Sequence, residues 1–184
     1  MLLSDQIKVK SLEEHIPIVR EKTIAYILNL ARENSYKNVL EVGTAYGYSA
    51  ACFFEANFDV TTIEKSEKNY QIAMSFLQNN DHIICVNKDA IDFTTNKKFD
   101  LIFLDGSKTH QEELLNKFYQ FLNTKGTIII DNIYLKKFTD KTLTKNQIKL
   151  MEKVKKFEDY LKNQQKYNAE IIDLDDGIAV ISKP

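Results

Sequence analysis

The sequence predicts an α/β fold, a doubly wound and largely parallel sheet with helices on both faces. Three observations carry this. Short, β-branched and nearly continuous apolar runs alternate with longer segments of helical period, which is how parallel strands covered on both faces read. Each run ends in a glycine or a polar residue, and sheets of this kind bind ligands beyond the carboxyl ends of their strands. The last two runs are joined only by Asp175-Asp176, a link too short for a parallel crossover but sufficient for an antiparallel hairpin.

The elements follow in order. Residues 1–16 form a short N-terminal extension, and a helix is expected over 17–34 with Pro17 in its first turn, a position that tolerates a missing N–H. The strands are NVLEVG (38–43), FDVTTIE (58–64), HIICVN (82–87), FDLIFLD (99–105) and GTIIIDN (126–132). Helices are expected between them at 46–56, 66–79 and 108–122, the second opening on Ser66 with Asn69 three residues on. A last helix is expected over 143–163, with Leu150, Met151, Val154, Phe157 and Leu161 on one stripe. The closing pair is AEIIDL (169–174) and GIAVIS (177–182). No linker, repeat or low-complexity tract interrupts the series, so residues 1–184 are expected to form one domain.

Composition narrows the class. The chain is 43% hydrophobic and 28% charged, ordinary for a globular protein. Its net charge of −1 advertises neither nucleic-acid nor membrane binding for the molecule as a whole. No apolar run approaches the roughly 20 residues of a membrane span, and MLLSDQIKVK lacks the features of a signal peptide. Cys52 and Cys85 are isolated, which suits small core residues in a reducing, cytoplasmic setting.

The strand ends carry the candidate chemistry. In EVGTAYGYSA (41–50), Gly43 and Gly47 allow a sharp turn and close approach of a ligand to the backbone. The spacing is wrong for a dinucleotide fingerprint, since Ala45 and Tyr48 stand where glycines would be needed, and no Walker Gly-Lys-Ser/Thr follows. Tight packing and ligand binding explain such a turn equally well. Glu64, about 20 residues on, is placed to accept from a ribose diol, or it is a surface charge beside Lys65. Asp89, in Lys88-Asp89-Ala90, either caps a short helix or accepts from an adenine amine. Asp105, Asp131 and Asn132 end the fourth and fifth strands. Singly they read as caps and a turn residue; together, two carboxylates and an amide suit a hard cation such as Mg²⁺. FLDGSKTHQ (103–111) poses the same choice: a helix start capped by Asp105 or Ser107 with Lys108 in solvent, or a carboxylate and an amine presented together.

VLEVGTAYGYSA, TTIEKS, DLIFLDGSK and IIIDNI resemble the metal-dependent class I S-adenosylmethionine O-methyltransferases, the catechol and caffeoyl-CoA type, over roughly residues 16–182. The resemblance implies a Rossmann-like seven-stranded sheet with an antiparallel last strand. It implies that Glu41, Gly43, Tyr46, Gly47 and Ser49 line the methionine end of the cofactor, with Thr44 among the contacts. Glu64 would hold the ribose beside Lys65, and Asp89 and Ala90 would meet the adenine. Asp105, Asp131 and Asn132 would be the metal ligands, Asp105 also touching the cofactor, and Lys108 the catalytic lysine acting with Asp105. Mg²⁺ so held would chelate two vicinal substrate oxygens and acidify the hydroxyl. His110, on the same helix start, is either an assistant or simply exposed. Ala45 is compatible with the family, whereas Gln111 stands where relatives often carry an aromatic, and a lid built from residues before Pro17 would be minimal.

The acceptor is read from charge and from a finer resemblance. Residues 136–166 hold ten lysines against four acids, a local charge of +6 that leaves −7 elsewhere. Lysines clustered directly after Asp131 and Asn132 would contact phosphates, or they are a solvated helix face. The IPIV segment near residue 16 and the DGIAVISK ending are similar to the bacterial branch that methylates 5-hydroxyuridine at the tRNA wobble position. That base offers a 5-hydroxyl beside a 4-carbonyl, a vicinal oxygen pair. The expectation is therefore a tRNA acceptor, with Arg20, Lys136 and Lys137 as RNA contacts and a homodimer as the assembly. The alternatives are a catechol-like small-molecule enzyme and a non-catalytic nucleoside-binding protein.

Overall fold

The computed structural model describes residues 1–106, 108–134 and 143–184. Five parallel strands, β1 (Asn38–Val42), β2 (Asp59–Glu64), β3 (Ile83–Asn87), β4 (Phe99–Leu104) and β5 (Leu122–Asp131), are followed by β6 (Asn168–Ile172) and β7 (Ile178–Ser182). Their order is β3-β2-β1-β4-β5-β7-β6, and β7 runs antiparallel to both β5 and β6. The seven-stranded doubly wound sheet is as expected. Its winding reverses between β1 and β4, the crevice where sheets of this kind take their ligands.

Both faces of the sheet are covered, which is why the strands read as unbroken apolar runs. The helices α1 (Leu3–Glu13), α2 (Glu21–Glu33), α3 (Tyr48–Glu55) and α4 (Glu67–Leu77) pack one core around Ile27, Phe53, Leu101, Phe103 and Ile129. The helices α5 (Gln111–Tyr119) and α6 (Lys145–Asn163) pack the other around Leu40, Ile102, Leu115, Phe118 and Phe157. Leu101 and Phe103 face one core and Ile102 and Leu104 the other, the period of two that a strand dictates. Each such side chain contributes about 1.5–3 kcal/mol when fully buried.

Two helix starts lie where local chemistry puts them. The Ser66 hydroxyl accepts from the Asn69 N–H (3.3 Å) to open α4. Thr144 and Gln147 form a reciprocal capping box at the start of α6.

Three departures from expectation shape the surroundings of the strand ends. The helix expected at 17–34 begins only at Glu21, and its N-terminus is capped from across the fold. Asp175 Oδ2 accepts from the Thr23 N–H (3.1 Å) and hydroxyl (3.0 Å). The strand expected at 126 starts at Leu122. Pairing steps from Phe99–Leu122 to Leu101–Thr127, and Gly126 sits at this irregularity, where a Cβ would lie 2.7 Å from the Asp100 carbonyl oxygen. Residues 1–16 hold an eleven-residue helix, α1. Its buried face is Ser4, Ile7 and Ser11, too polar for apolar periodicity to register. Its first turn is capped by Glu55 of α3, which accepts from the Ser4 N–H (3.0 Å) and hydroxyl (2.6 Å). Among the described residues no helix is long and apolar enough to cross a membrane.

Candidate active site

The turn after β1 depends on glycine at two points. Gly43 has φ +105°, and a Cβ there would lie 2.7 Å from the carbonyl oxygen of Asp105. The ends of β1 and β4 therefore meet backbone to backbone. Gly47 has φ +96°, and its Cβ would meet Leu77 Cδ1 at 2.7 Å. Ala45, between them, is also left-handed at φ 47°, a conformation that costs an L-residue about 1–2 kcal/mol. Glu64 compensates by accepting from the Ala45 N–H at Oε2 and from the Ser66 N–H at Oε1, both at 2.8 Å. One carboxylate thus ties the glycine turn to the start of α4.

Behind the turn lies a buried polar knot. Glu41 is fully buried, and its carboxyl accepts from the hydroxyls of Ser49 and Thr62 (2.6 Å for Thr62). Thr62 also shares a hydrogen bond with Thr44 (2.5 Å). Burial, only partly offset by those hydroxyls, pushes the Glu41 carboxyl up to about 7. Tyr46 is buried too, its hydroxyl donating to Glu14 at the end of α1.

A cleft of about 1400 Å³ opens beyond the strand ends, larger than the usual 300–1,000 Å³ of a small-ligand site. Gly43, Glu64, Lys65, Asp89, Ala90, Asp105, Lys108, His110, Asp131, Asn132 and Arg20 all line it. Glu41, Thr44, Tyr46, Gly47 and Ser49 stand in the wall behind the turn rather than on the cleft surface. Asp89 Oδ1 caps the short 3₁₀ turn Ala90–Asp92, accepting from the Ile91 N–H (3.1 Å), while the residue also faces the cleft. Lys136, Lys137 and the Ser107 cap lie outside the described residues.

The far rim gathers the acidic residues. Asp131 ends β5, and Asn132 follows with φ 62°, its N–H donating to Asp131 Oδ1 (2.8 Å). The Lys108 ammonium donates to Asn132 Oδ1. Lys108 lies ahead of α5, which begins at Gln111 and not at 108 as expected. Burial, then the charges of Asp131 and Glu41, hold the Asp105 carboxyl well above the usual carboxylate range, against the pull of Lys108. Burial likewise pushes Asp131 up to about 6, opposed by the Asn132 N–H and Lys108. Among the described residues no three His, Cys, Asp or Glu side chains form a metal cluster. An ion at this rim would have two carboxylates and the Asn132 amide oxygen, an all-oxygen donor set that suits a hard dication. Two desolvated carboxyls, Asp105 raised further by the charge of Asp131, are also what a dication would relieve. The donor set therefore fits.

The near rim was not legible locally. Leu12, Ile16, Pro17 and Ile18 line the cleft with Lys8, so the N-terminal region supplies a larger wall than the minimal lid expected. Arg20 donates to Asp176 Oδ2 from Nη2 (2.9 Å) and Nε (3.2 Å). This latches the strap to the β6–β7 turn, whose Asp176 carbonyl accepts from the Tyr134 N–H (2.7 Å). Cys52 and Cys85 are half-buried, and burial pushes their thiols up to about 11 and about 12. They are packing residues.

The fold and the cleft at its switch point define a Rossmann-like methyltransferase. The sequence matches the O-methyltransferase family over residues 8–184, and the chain belongs to that family, whose enzymes use S-adenosylmethionine. Its structure is similar to a Staphylococcus aureus protein of the caffeoyl-CoA O-methyltransferase type, at 26% identity and TM-score 0.89, covering 98% of this chain and 92% of that one. It shares its fold with a Bacillus cereus O-methyltransferase in complex with S-adenosylhomocysteine, at 19% identity and TM-score 0.78, covering 98% and 90%. In sequence it is 28% identical over 150 residues to a Saccharolobus solfataricus chain assigned as cobalt-precorrin-6B C(15)-methyltransferase, covering 77% of this chain and 72% of that one.

Proposed function

We propose that the enzyme moves a methyl group from S-adenosylmethionine to the 5-hydroxyl of a wobble uridine in tRNA, giving 5-methoxyuridine, at a site that holds Mg²⁺. One observation carries the reading. Asp105, Asp131, Asn132 and Lys108 share a single cleft with the Gly43 turn and Glu64, so a nucleoside donor and an oxygen-bearing acceptor would meet in one chamber.

On the donor side, Glu64 has lone pairs left beyond its two backbone N–H bonds and accepts from the ribose diol beside Lys65. Asp89 uses one oxygen for its cap and offers the other to the adenine amine, next to Ala90. The bare backbone at Gly43 lets the methionine end approach, and the buried Glu41–Ser49–Thr62 knot, with Thr44, Tyr46 and Gly47, holds that turn rigid. The Bacillus cereus relative's bound S-adenosylhomocysteine supports this cofactor.

On the acceptor side, Asp105, Asp131 and Asn132 would hold the dication. Bound there, Mg²⁺ would acidify the acceptor hydroxyl and fix it together with its neighbouring oxygen. Beside a bound dication Lys108 would favour its neutral amine, and in that form Nζ would take the proton from the acceptor hydroxyl. As the oxygen attacks, the C–O bond forms, the C–S bond of the sulfonium breaks and S-adenosylhomocysteine leaves, so catalysis is mainly positioning and charge stabilisation.

The RNA acceptor is supported by α6. Lys145, Lys149, Lys153 and Lys156 are exposed on it, while Lys155 and Lys162 pair with Glu158 and Asp159. Among the described residues these four lysines form no ion pair, and such a row suits phosphates. A small catechol-like acceptor is the second reading, favoured by the apolar strap of Leu12, Ile16, Pro17 and Ile18. The experiment supplies labelled S-adenosylmethionine with hypomodified tRNA or with a catechol and identifies the methylated product by mass spectrometry. The expected product is 5-methoxyuridine in the digested tRNA. Methylated catechol with unlabelled tRNA would overturn the RNA reading.

A further inference from the structure

Gln111 opens α5 and is only 6% exposed. Its Nε2 donates to the main-chain carbonyl of Asp131 (3.1 Å). A carbonyl oxygen can only accept, so this bond fixes which end of the amide is which. The Oε1 is thereby left buried, without a partner among the described residues. Such an acceptor costs about 1–3 kcal/mol if nothing meets it. Beside it lies a void of about 10 Å³ lined by Gln111, Asp105, Asp131, Lys108, Gly106 and two leucines. That is roughly the space one water molecule needs, and the lining offers the two to four polar partners that hold such a water.

We propose that Gln111 is a positioning residue for the acidic rim. Its Nε2 steadies the Asp131–Asn132 backbone. A single ordered water in the void donates one hydrogen to Gln111 Oε1 and the other to a carboxylate of Asp105 or Asp131. Two carboxyls pressed together at a strand end need such support to present their oxygens in one direction, and neighbours that orient ligand side chains commonly change metal affinity 10–100-fold. This rests on the metal reading given above.

The test combines a high-resolution crystal structure with Mn²⁺ binding followed by electron paramagnetic resonance on the full chain. The unsubstituted protein should show a water within hydrogen-bond reach of Gln111 Oε1 and one carboxylate. Gln111→Met, similar in volume, should lose that water and bind Mn²⁺ about 10–100-fold more weakly. Its S-adenosylmethionine affinity should stay within about twofold, which a merely structural defect would not allow. Gln111→Glu keeps an acceptor for the water but loses the donor to the Asp131 carbonyl, so it should keep the water, while a thermal melt of each variant separates a folding failure from a lost site. A dry void, or unchanged Mn²⁺ affinity in Gln111→Met, overturns the proposal. Failure of the unsubstituted protein to bind Mn²⁺ would instead refute the metal reading, and the water at Gln111 would still be decided by the crystal structure.

Discussion

Replacing Glu41 by Gln should stabilise the protein, and increasingly so as pH rises. The Glu41 carboxyl, fully buried, is pushed from an ordinary 4.5 to about 7 in the folded state. Below pH 4.5 both folded and unfolded chains are protonated there and the group contributes nothing. Between 4.5 and 7 the unfolded chain releases its proton first, so stability falls as pH rises; above 7 the penalty is constant. A rise from 4.5 to about 7 corresponds to a plateau of about 3 kcal/mol, most of which develops between pH 5 and 8. The amide introduced by Glu41→Gln would carry no charge to desolvate. Ser49 and Thr62 donate to different carboxyl oxygens, so one hydroxyl can still donate to the amide oxygen while the other turns to accept from the amide NH2. Removing the charge also relieves Asp105, which Glu41 pushes upward, so the two effects share a sign. Urea denaturation of both proteins at pH 5, 6, 7 and 8 reads the difference directly, and near pH 8 the melting temperatures should differ by about 5–10 °C. A stability difference that is flat from pH 5 to 8 would refute the argument.

Other perturbations follow from single contacts. Gly43→Ala drives a Cβ to 2.7 Å from the Asp105 carbonyl oxygen at φ +105°; calorimetry should show lost cofactor binding and a melting temperature lower by several degrees, strain of this kind costing about 1–3 kcal/mol. Asp175→Ala removes the distant cap of α2 and should cost about 1 kcal/mol, read as a melting-temperature drop of about 2–4 °C. Lys108→Ala should lower kcat about 10²–10⁴-fold with cofactor affinity preserved, and turnover at the unsubstituted rate would remove Lys108 from the chemistry.

Much of this molecule is legible in its residues, for physical reasons. Strands such as FDLIFLD are buried on both faces, and burial writes itself as an unbroken β-branched run. The rim residues Glu64, Asp105, Asp131 and Asn132 are legible because a parallel sheet delivers every strand end to one side. Interactions that join distant elements are not. The α1 helix buries two serines and one isoleucine and is capped by Glu55 from α3, so neither its period nor its start can be seen locally. The late start of α2 depends on Asp175, 152 residues away. Glu41 and Ser49 fit the motif, but their packing behind the turn, rather than on the cleft surface, follows from Thr62 on the neighbouring strand. Gln111 stands out in sequence as a departure from its relatives, and only its bond to the Asp131 carbonyl shows what replaces an aromatic there.

The central proposal is that one cleft brings donor, dication and acceptor together. Its most direct measurement is labelled-methyl transfer to hypomodified tRNA by protein stripped with EDTA, then repeated after Mg²⁺ is restored. Transfer should be absent in the stripped protein, recover with Mg²⁺ in the unsubstituted enzyme, and fail to recover in Asp131→Ala. Undiminished transfer in EDTA, or full recovery in Asp131→Ala, would contradict the proposal.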